Sequence, residues 1–164
     1  MVESKKIIIA DHIEDLTLAR YFASKDIQLI ILNLDTRNLA GNKEFMAQLM
    51  LWIEGPKLAG TGSDPEMLDS LERDLAGIAR IIAKKDLYDL NGKIIPGVIA
   101  QWLEFDNLYP DPISAQIKYS DGHHLSQEDR LASILVIRVH GEEKTGVYDF
   151  SVMEDFFDQL TPEA

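Results

Sequence analysis

Two short apolar runs near the start of the chain flank a stretch in which apolar residues recur at helical spacing. The runs cover residues 6–10 and 27–34 and are rich in isoleucine and leucine, as expected of strands buried on both faces. Between them, Asp11 and Glu14 match a capping box at the start of a helix. The pattern predicts a strand, a helix and a strand, which together form a βαβ unit.

The middle of the chain has the spacing of three further helices, over 42–53, 64–85 and within 94–105. The second of these is the most regular, because leucine and isoleucine recur at steps of three and four as far as Ile82. Residues 57–63 contain two glycines and are predicted to form a loop.

The C-terminal part of the chain changes character and favours strands. Runs at 113–119, 132–140 and 145–151 have strand composition, and residues 141–144 are typical of a hairpin connection between the last two. An amphipathic helix over 152–160 closes the pattern.

These elements predict a fold of the α/β (α+β mixed) class, with residues 1–164 forming a single domain and a soft subdivision near 106–112. Its centre would be a single mixed β-sheet of about five strands, with the helices packed on the sheet. The N-terminal βαβ unit would supply one side of the sheet and a C-terminal antiparallel meander the other.

The composition constrains the possible functions. The absence of cysteine excludes disulfides, thiol catalysis and thiolate metal sites, and it fits a cytoplasmic location. The formal net charge is −12, and residues 113–164 carry ten acidic but only four basic side chains. Because this charge repels phosphate backbones, we expect neither direct nucleic-acid binding nor association with an anionic membrane. The apolar runs are also far shorter than the roughly 20 residues that span a bilayer.

Asp11 and His12 are the first candidate site residues. They follow the first predicted strand, at the end where open α/β sheets bind ligands. A carboxylate beside an imidazole suits a divalent metal ion or an acid–base pair. The structural alternative is that Asp11 only caps the following helix and that His12 lies exposed in its first turn.

Asp121, His123 and His124 form the second candidate group, in a predicted loop. Adjacent imidazoles can reach one metal ion only from an irregular backbone, where they would supply nitrogen ligands beside the carboxylate. The structural alternative is that these are loop histidines with no ligand.

No other motif predicts a cofactor or a hydrolase triad. Residues 60–65 combine glycines with a following helix, but the lysine and hydroxyl of a phosphate-binding Walker loop are absent, and Asp64 would repel a phosphate. No serine lies in a glycine-flanked nucleophile elbow. We therefore expect no cofactor.

Residues 7–12 resemble the opening of a response-regulator receiver domain, and residues 30–33 with Gly41 resemble its phosphoacceptor strand and turn. The chain departs from the family where His12 replaces the second acid and Asn33 replaces the phosphorylated aspartate. The interval between the two segments is also short by one strand–helix unit, so the resemblance indicates a shared βαβ pattern.

Three functional hypotheses follow from these observations. The first is a non-catalytic intracellular interaction or regulatory domain, whose acidic C-terminal half meets a basic surface of a protein partner. The second is an acidic DNA mimic that inhibits a nucleic-acid-binding protein. The third is a small metal-dependent enzyme that uses Asp11, His12 and the loop 121–124, which requires the two segments to converge. Trp52 and its apolar neighbours suit either a homo-oligomer contact or a core.

Overall fold

A computed structural model describes residues 7–75, 79–102, 117–120, 125–138 and 151–160. Within these residues the chain forms six strands: β1 (Ile7–Ile13), β2 (Leu29–Asn33), β3 (Lys57–Gly62), β4 (Arg80–Ala83), β5 (Ile117–Ser120) and β6 (Ile134–Arg138). The α-helices of the same residues are α1 (Leu16–Ala23), α2 (Leu39–Trp52), α3 (Pro65–Asp74), α4 (Lys84–Leu87), α5 (Pro96–Trp102), α6 (Gln127–Leu131) and α7 (Ser151–Leu160). A 3-10 turn, Leu34–Thr36, follows β2.

All six strands run parallel in one sheet, in the order β4-β3-β2-β1-β6-β5. The predicted βαβ unit is confirmed, because β1 pairs in parallel with β2 and α1 connects them. On its other side β1 pairs with β6, which is the last of the described strands in chain order. This order differs from the 2-1-3-4-5 order of receiver-like folds. The carboxyl ends of β1 and β6 therefore lie side by side.

Helices cover both faces of the sheet. Side chains alternate along each strand, so Ala10, Ile30 and Leu32 belong to one core with α1, α2, α3 and α7. Ile9 and Ile31 belong to a second core, which α4 and α5 cover. The central strands are apolar on both faces for this reason, as the two isoleucine-rich runs predicted.

The predicted antiparallel meander is wrong. β5 and β6 pair in parallel, with α6 as the crossover between them, so the sheet has six parallel strands rather than about five in mixed directions. Strand composition alone does not encode direction; a connection long enough to hold a helix makes parallel pairing feasible. Residues 139–150, including the predicted hairpin, lie outside the described residues, and Ser151 begins α7 instead of ending a strand.

Two elements in the middle of the chain also differ from prediction. Residues 57–62 form β3 rather than a loop, and the helix predicted over 64–85 ends at Asp74, before β4 begins at Arg80. Gly60 is a packing requirement, because a Cβ there would lie 2.8 Å from Leu34 Cδ1. The apolar spacing of α3 continues by coincidence into β4, so the sequence pattern predicted one helix where the structure has a helix and a strand.

The subdivision predicted near 106–112 lies outside the described residues, and the single-domain organisation stays a prediction. Among the residues that are described, no helix combines the length and apolar character needed to cross a membrane.

Candidate functional site

The carboxyl end of β1 contains an irregularity that turns two polar residues in different directions. The register with β2 shifts between Ala10 and Ile13, and His12 adopts a positive φ of 66°. Such a backbone is uncommon for residues other than glycine. The predicted capping role of Asp11 is wrong, because Asp11 lies within β1 and Asp15 caps α1 by accepting a hydrogen bond from Leu18 N at 2.7 Å. His12 correspondingly lies in the strand and not in the first helical turn.

Asp11 is fully buried and accepts hydrogen bonds on both carboxylate oxygens. Arg138, its register partner on β6, donates to Oδ2 from Nε at 3.0 Å and from Nη2 at 2.9 Å. Tyr88 Oη donates to Oδ1 at 2.6 Å, and His12 N donates to the same oxygen at 2.8 Å. A carboxylate removed from water is stabilised only by such partners, so these four donors fix its position.

Two tyrosines hold the Arg138 guanidinium from the sides. Its carbon lies 5.4 Å from the ring centre of Tyr88 and 5.5 Å from that of Tyr119. The hydroxyl of Tyr119 accepts a hydrogen bond from Ile94 N at 2.8 Å, which ties the ring to the segment after α4. Burial raises the pKa of both tyrosines, and the Asp11 charge raises that of Tyr88 further. Both hydroxyls therefore keep their protons at neutral pH.

A second ion pair joins the segments that follow β2 and β4. Lys84 Nζ lies 2.7 Å from Asp35 Oδ2. Asp35 also accepts hydrogen bonds from Ser63 N at 2.8 Å and Ser63 Oγ at 2.9 Å. Burial opposes ionisation of Asp35, but the hydrogen bonds from Lys84 and Ser63 outweigh it and hold the pKa below its usual 3.8. The carboxylate thus anchors Lys84 across two strand ends.

A third, looser pair forms beside the bulge. His12 Nε2 lies 3.7 Å from Glu14 Oε2, and the His12 side chain is 41% exposed. The same Glu14 oxygen accepts a hydrogen bond from Asn33 Nδ2 at 2.7 Å. Arg37 Nη1 donates to the Glu14 carbonyl at 2.7 Å. Glu14 is therefore fixed by β2 and its following turn, while the imidazole remains accessible.

The three pairs surround one cleft at the carboxyl edge of the sheet. The carboxyl-edge cleft has a volume of about 360 Å³ and is lined by His12, Lys84, Tyr88, Gly92 and Arg138. Of the three pairs, the described lining contains the basic member of each, His12, Lys84 and Arg138, and not its carboxylate partner. The basic side chains of Lys84 and Arg138 thus face the cleft, while Asp11 is fully buried and Asp35 and Glu14 stay about a third exposed.

A larger cavity, of about 690 Å³, lies at the opposite, amino edge of the sheet. It is walled mainly by apolar groups such as Leu29, Ile53 and Trp102, with Lys57 and Arg80 as its charged members. Residues 76–78 and 103–116, which adjoin it in sequence, lie outside the described residues. We therefore place the candidate site at the carboxyl edge, where the polar groups converge.

The predicted candidates are only partly brought together. Asp11 and His12 both belong to the carboxyl-edge site, whereas Asp121, His123 and His124 lie outside the described residues. The described part of the chain holds no group of three or more histidines and carboxylates placed to bind a metal ion. The proximity that the metal hypothesis requires thus stays a prediction.

Sequence reasoning missed Lys84, Tyr88 and Arg138. Arg138 ends β6, Lys84 follows β4 directly, and Tyr88 follows α4; an apolar run that ends in a charged residue, as in β6, was the available signal. Their convergence depends on the strand order, which the sequence does not display.

Neither a family model, nor a curated protein, nor a solved structure matches the chain.

Proposed function

We propose that this protein is a non-catalytic regulatory domain that binds a small anionic ligand in the carboxyl-edge cleft. The observation that carries the proposal is a contrast in charge. The chain as a whole has a formal net charge of −12, yet among the described residues the side chains that line this cleft include three basic groups and no carboxylate.

The position of the cleft supports a ligand site. Open parallel sheets bind their ligands outside the carboxyl ends of the strands, which is where the cleft lies. Its volume of about 360 Å³ is also within the usual range of roughly 300–1,000 Å³ for small-molecule sites.

Charges close to the cleft matter more to a bound ligand than the net charge of the chain. At physiological ionic strength, interactions between exposed charges are screened beyond about 8 Å, so distant acidic residues contribute little inside the cleft. Arg138 and Lys84 are already oriented by Asp11 and Asp35. An arriving anion therefore immobilises less side-chain freedom than it would at flexible surface lysines.

Two groups in the site are engaged in a way that favours binding over catalysis. Asp11 accepts hydrogen bonds from three residues, so its lone pairs are not directed at the cleft as those of a general base would be. The Tyr88 hydroxyl donates to Asp11, and its raised pKa makes it a poor nucleophile at neutral pH.

The test is ligand-dependent stabilisation against denaturant with inorganic phosphate, sulfate, acetate and citrate as probes. A ligand at 100 times its Kd stabilises the folded state by about 2.7 kcal/mol. Lys84→Gln should weaken the effect, whereas Lys85→Gln, which removes the exposed neighbouring charge, should leave it unchanged. The proposal is overturned when none of the four anions stabilises the protein, or when the two lysine variants behave alike.

A second function, contact with a basic protein partner, is favoured by the polar side of α7. Asp155 and Asp158 are exposed there, while Phe156 and Phe157 are buried against the sheet. We propose Asp155→Asn/Asp158→Asn as the test variant in affinity capture at low and high salt. A partner that salt releases and this variant fails to capture supports the hypothesis; a partner that DNA also displaces favours the DNA-mimic form of it.

A further inference from the structure

We propose that the group recognised in the carboxyl-edge cleft is a phosphoryl group, carried by a small organic monophosphate. This inference rests on the proposed function and narrows its ligand. It depends on the directions from which the hydrogen-bond donors of His12, Lys84 and Arg138 enter the cleft, and on which of their N–H groups do not bond to a carboxylate.

The three basic side chains come from three different strand ends. His12 belongs to the end of β1, Lys84 follows β4, and Arg138 ends β6. A phosphate monoester presents three terminal oxygens in a tetrahedral arrangement and carries close to two negative charges at neutral pH. A carboxylate presents two oxygens in one plane and a single charge. Donors that converge from three sides match the tetrahedral group better.

Arg138 has three guanidinium N–H groups, on Nη1 and Nη2, that do not bond to Asp11. Its Nε and Nη2 both donate to Asp11 Oδ2, at 3.0 and 2.9 Å. Nη1 makes no hydrogen bond within the described residues and points to the side of Gly92, where a Cβ would lie 3.9 Å from it. Because Asp11 occupies the Nε/Nη2 side of the guanidinium, Arg138 contributes its Nη1 edge to the ligand, beside the donors of Lys84 and His12.

Lys84 and His12 complete this set with donors of the same kind. Lys84 has three N–H groups, and its described partner, Asp35 Oδ2, can accept one of them. The His12 imidazole is 41% exposed and is held near Glu14 at 3.7 Å. Each of these side chains can thus donate to a different oxygen of one phosphoryl group while keeping its carboxylate partner.

The volume of the cleft limits the size of the organic part of the ligand. About 360 Å³ lies at the small end of the range for ligand sites. The cleft therefore accommodates a monophosphate of a short polyol or sugar rather than a dinucleotide.

The test is isothermal titration with glycerol 3-phosphate and glycerate, which differ in the anionic group on a three-carbon polyol skeleton. We expect glycerol 3-phosphate to bind at least about tenfold more tightly than glycerate, since charge-assisted hydrogen bonds to a third oxygen are worth 1.4 kcal/mol or more. Inorganic phosphate should compete with glycerol 3-phosphate.

Substitution of His12 and of Lys84 tests whether the ligand binds in this cleft. His12→Asn removes the imidazole, and asparagine tolerates the positive φ of this position, so the bulge is retained. This variant and Lys84→Gln should each lower the affinity for glycerol 3-phosphate about tenfold. Lys85→Gln, the exposed neighbour, should leave it unchanged.

The outcomes separate this inference from the proposed function. Glycerate binding as tightly as glycerol 3-phosphate, with the same dependence on Lys84, overturns the phosphoryl assignment and leaves an anion site. Binding that neither His12→Asn nor Lys84→Gln weakens overturns both the cleft and its chemistry. No binding by either compound or by inorganic phosphate, together with no stabilisation by citrate, rejects the anion site itself.

Discussion

Replacing Asp11 with alanine tests whether the buried ion pair organises this end of the sheet. The substitution leaves the Arg138 guanidinium, whose side chain is 26% exposed, without its counterion, and it removes the acceptor of the Tyr88 hydroxyl. Breaking one partner of a buried pair costs about 3–5 kcal/mol. Because Arg138 keeps some contact with water, we expect the lower end, about 3 kcal/mol.

The assay is equilibrium urea denaturation. With a slope of about 2 kcal/mol per molar urea, a loss of 3 kcal/mol lowers the transition midpoint by roughly 1.5 M. The matched control is Asp74→Ala, because Asp74 pairs with Lys43 at 2.7 Å but both side chains are nearly half exposed. Such a surface pair contributes under about 1 kcal/mol.

Arg138→Met and the double variant complete a cycle with Asp11→Ala. A coupling energy above about 1 kcal/mol is expected for two groups in direct contact. Equal losses in Asp11→Ala and Asp74→Ala, or a coupling indistinguishable from zero, would refute the idea that this pair is an energetic anchor.

Three further predictions concern packing and pH. Gly60→Ala should cost about 1–3 kcal/mol in urea denaturation, because its Cβ would overlap Leu34 at 2.8 Å, whereas Gly97→Ala, with open space in α5, should be neutral or stabilising. Asp35→Asn should be less stable than the wild type at neutral pH and converge with it in acid: the lowered pKa of Asp35 gives stability that is present above 3.8 and is lost as the pH falls below it. Tyr88→Phe should reduce the loss of stability above pH 10. The raised pKa of Tyr88 gives the wild type stability that is present below pH 10 and is lost as the pH rises. In a titration followed by tyrosinate absorbance, the variant should lack the tyrosine that ionises last in the folded wild type. Parallel acid curves for wild type and Asp35→Asn, or identical alkaline curves for wild type and Tyr88→Phe, would contradict these assignments.

The parts of the fold that the sequence predicts are those in which one local pattern decides the outcome. The isoleucine-rich runs at β1 and β2 are buried on both faces, and that burial is written directly in their composition. The glycines of β3 carry the opposite local signal. There a non-local contact with Leu34 overrides the tendency of glycine to form loops.

The site is less predictable than the fold because it is assembled from distant strand ends. Asp11 and His12 could be found, since a polar pair directly after a buried strand is a local signal. Their partner Arg138 lies 127 positions away, and only the adjacency of β1 and β6 brings the two together. Lys84 and Tyr88 depend in the same way on where β4 lies relative to β2.

The pairing of the first strand with the last has a consequence for biosynthesis. During translation, at about 5–20 residues per second, Asp11 leaves the ribosome roughly ten seconds before Arg138 does. Within that interval β2, β3 and then β4 can assemble on one side of β1, while the other edge of β1 lacks β6 and the Asp11 carboxylate lacks Arg138. The nascent chain therefore carries an open, isoleucine-rich strand edge until β6 is made, and this is the stage at which it is most exposed to aggregation and to capture by chaperones.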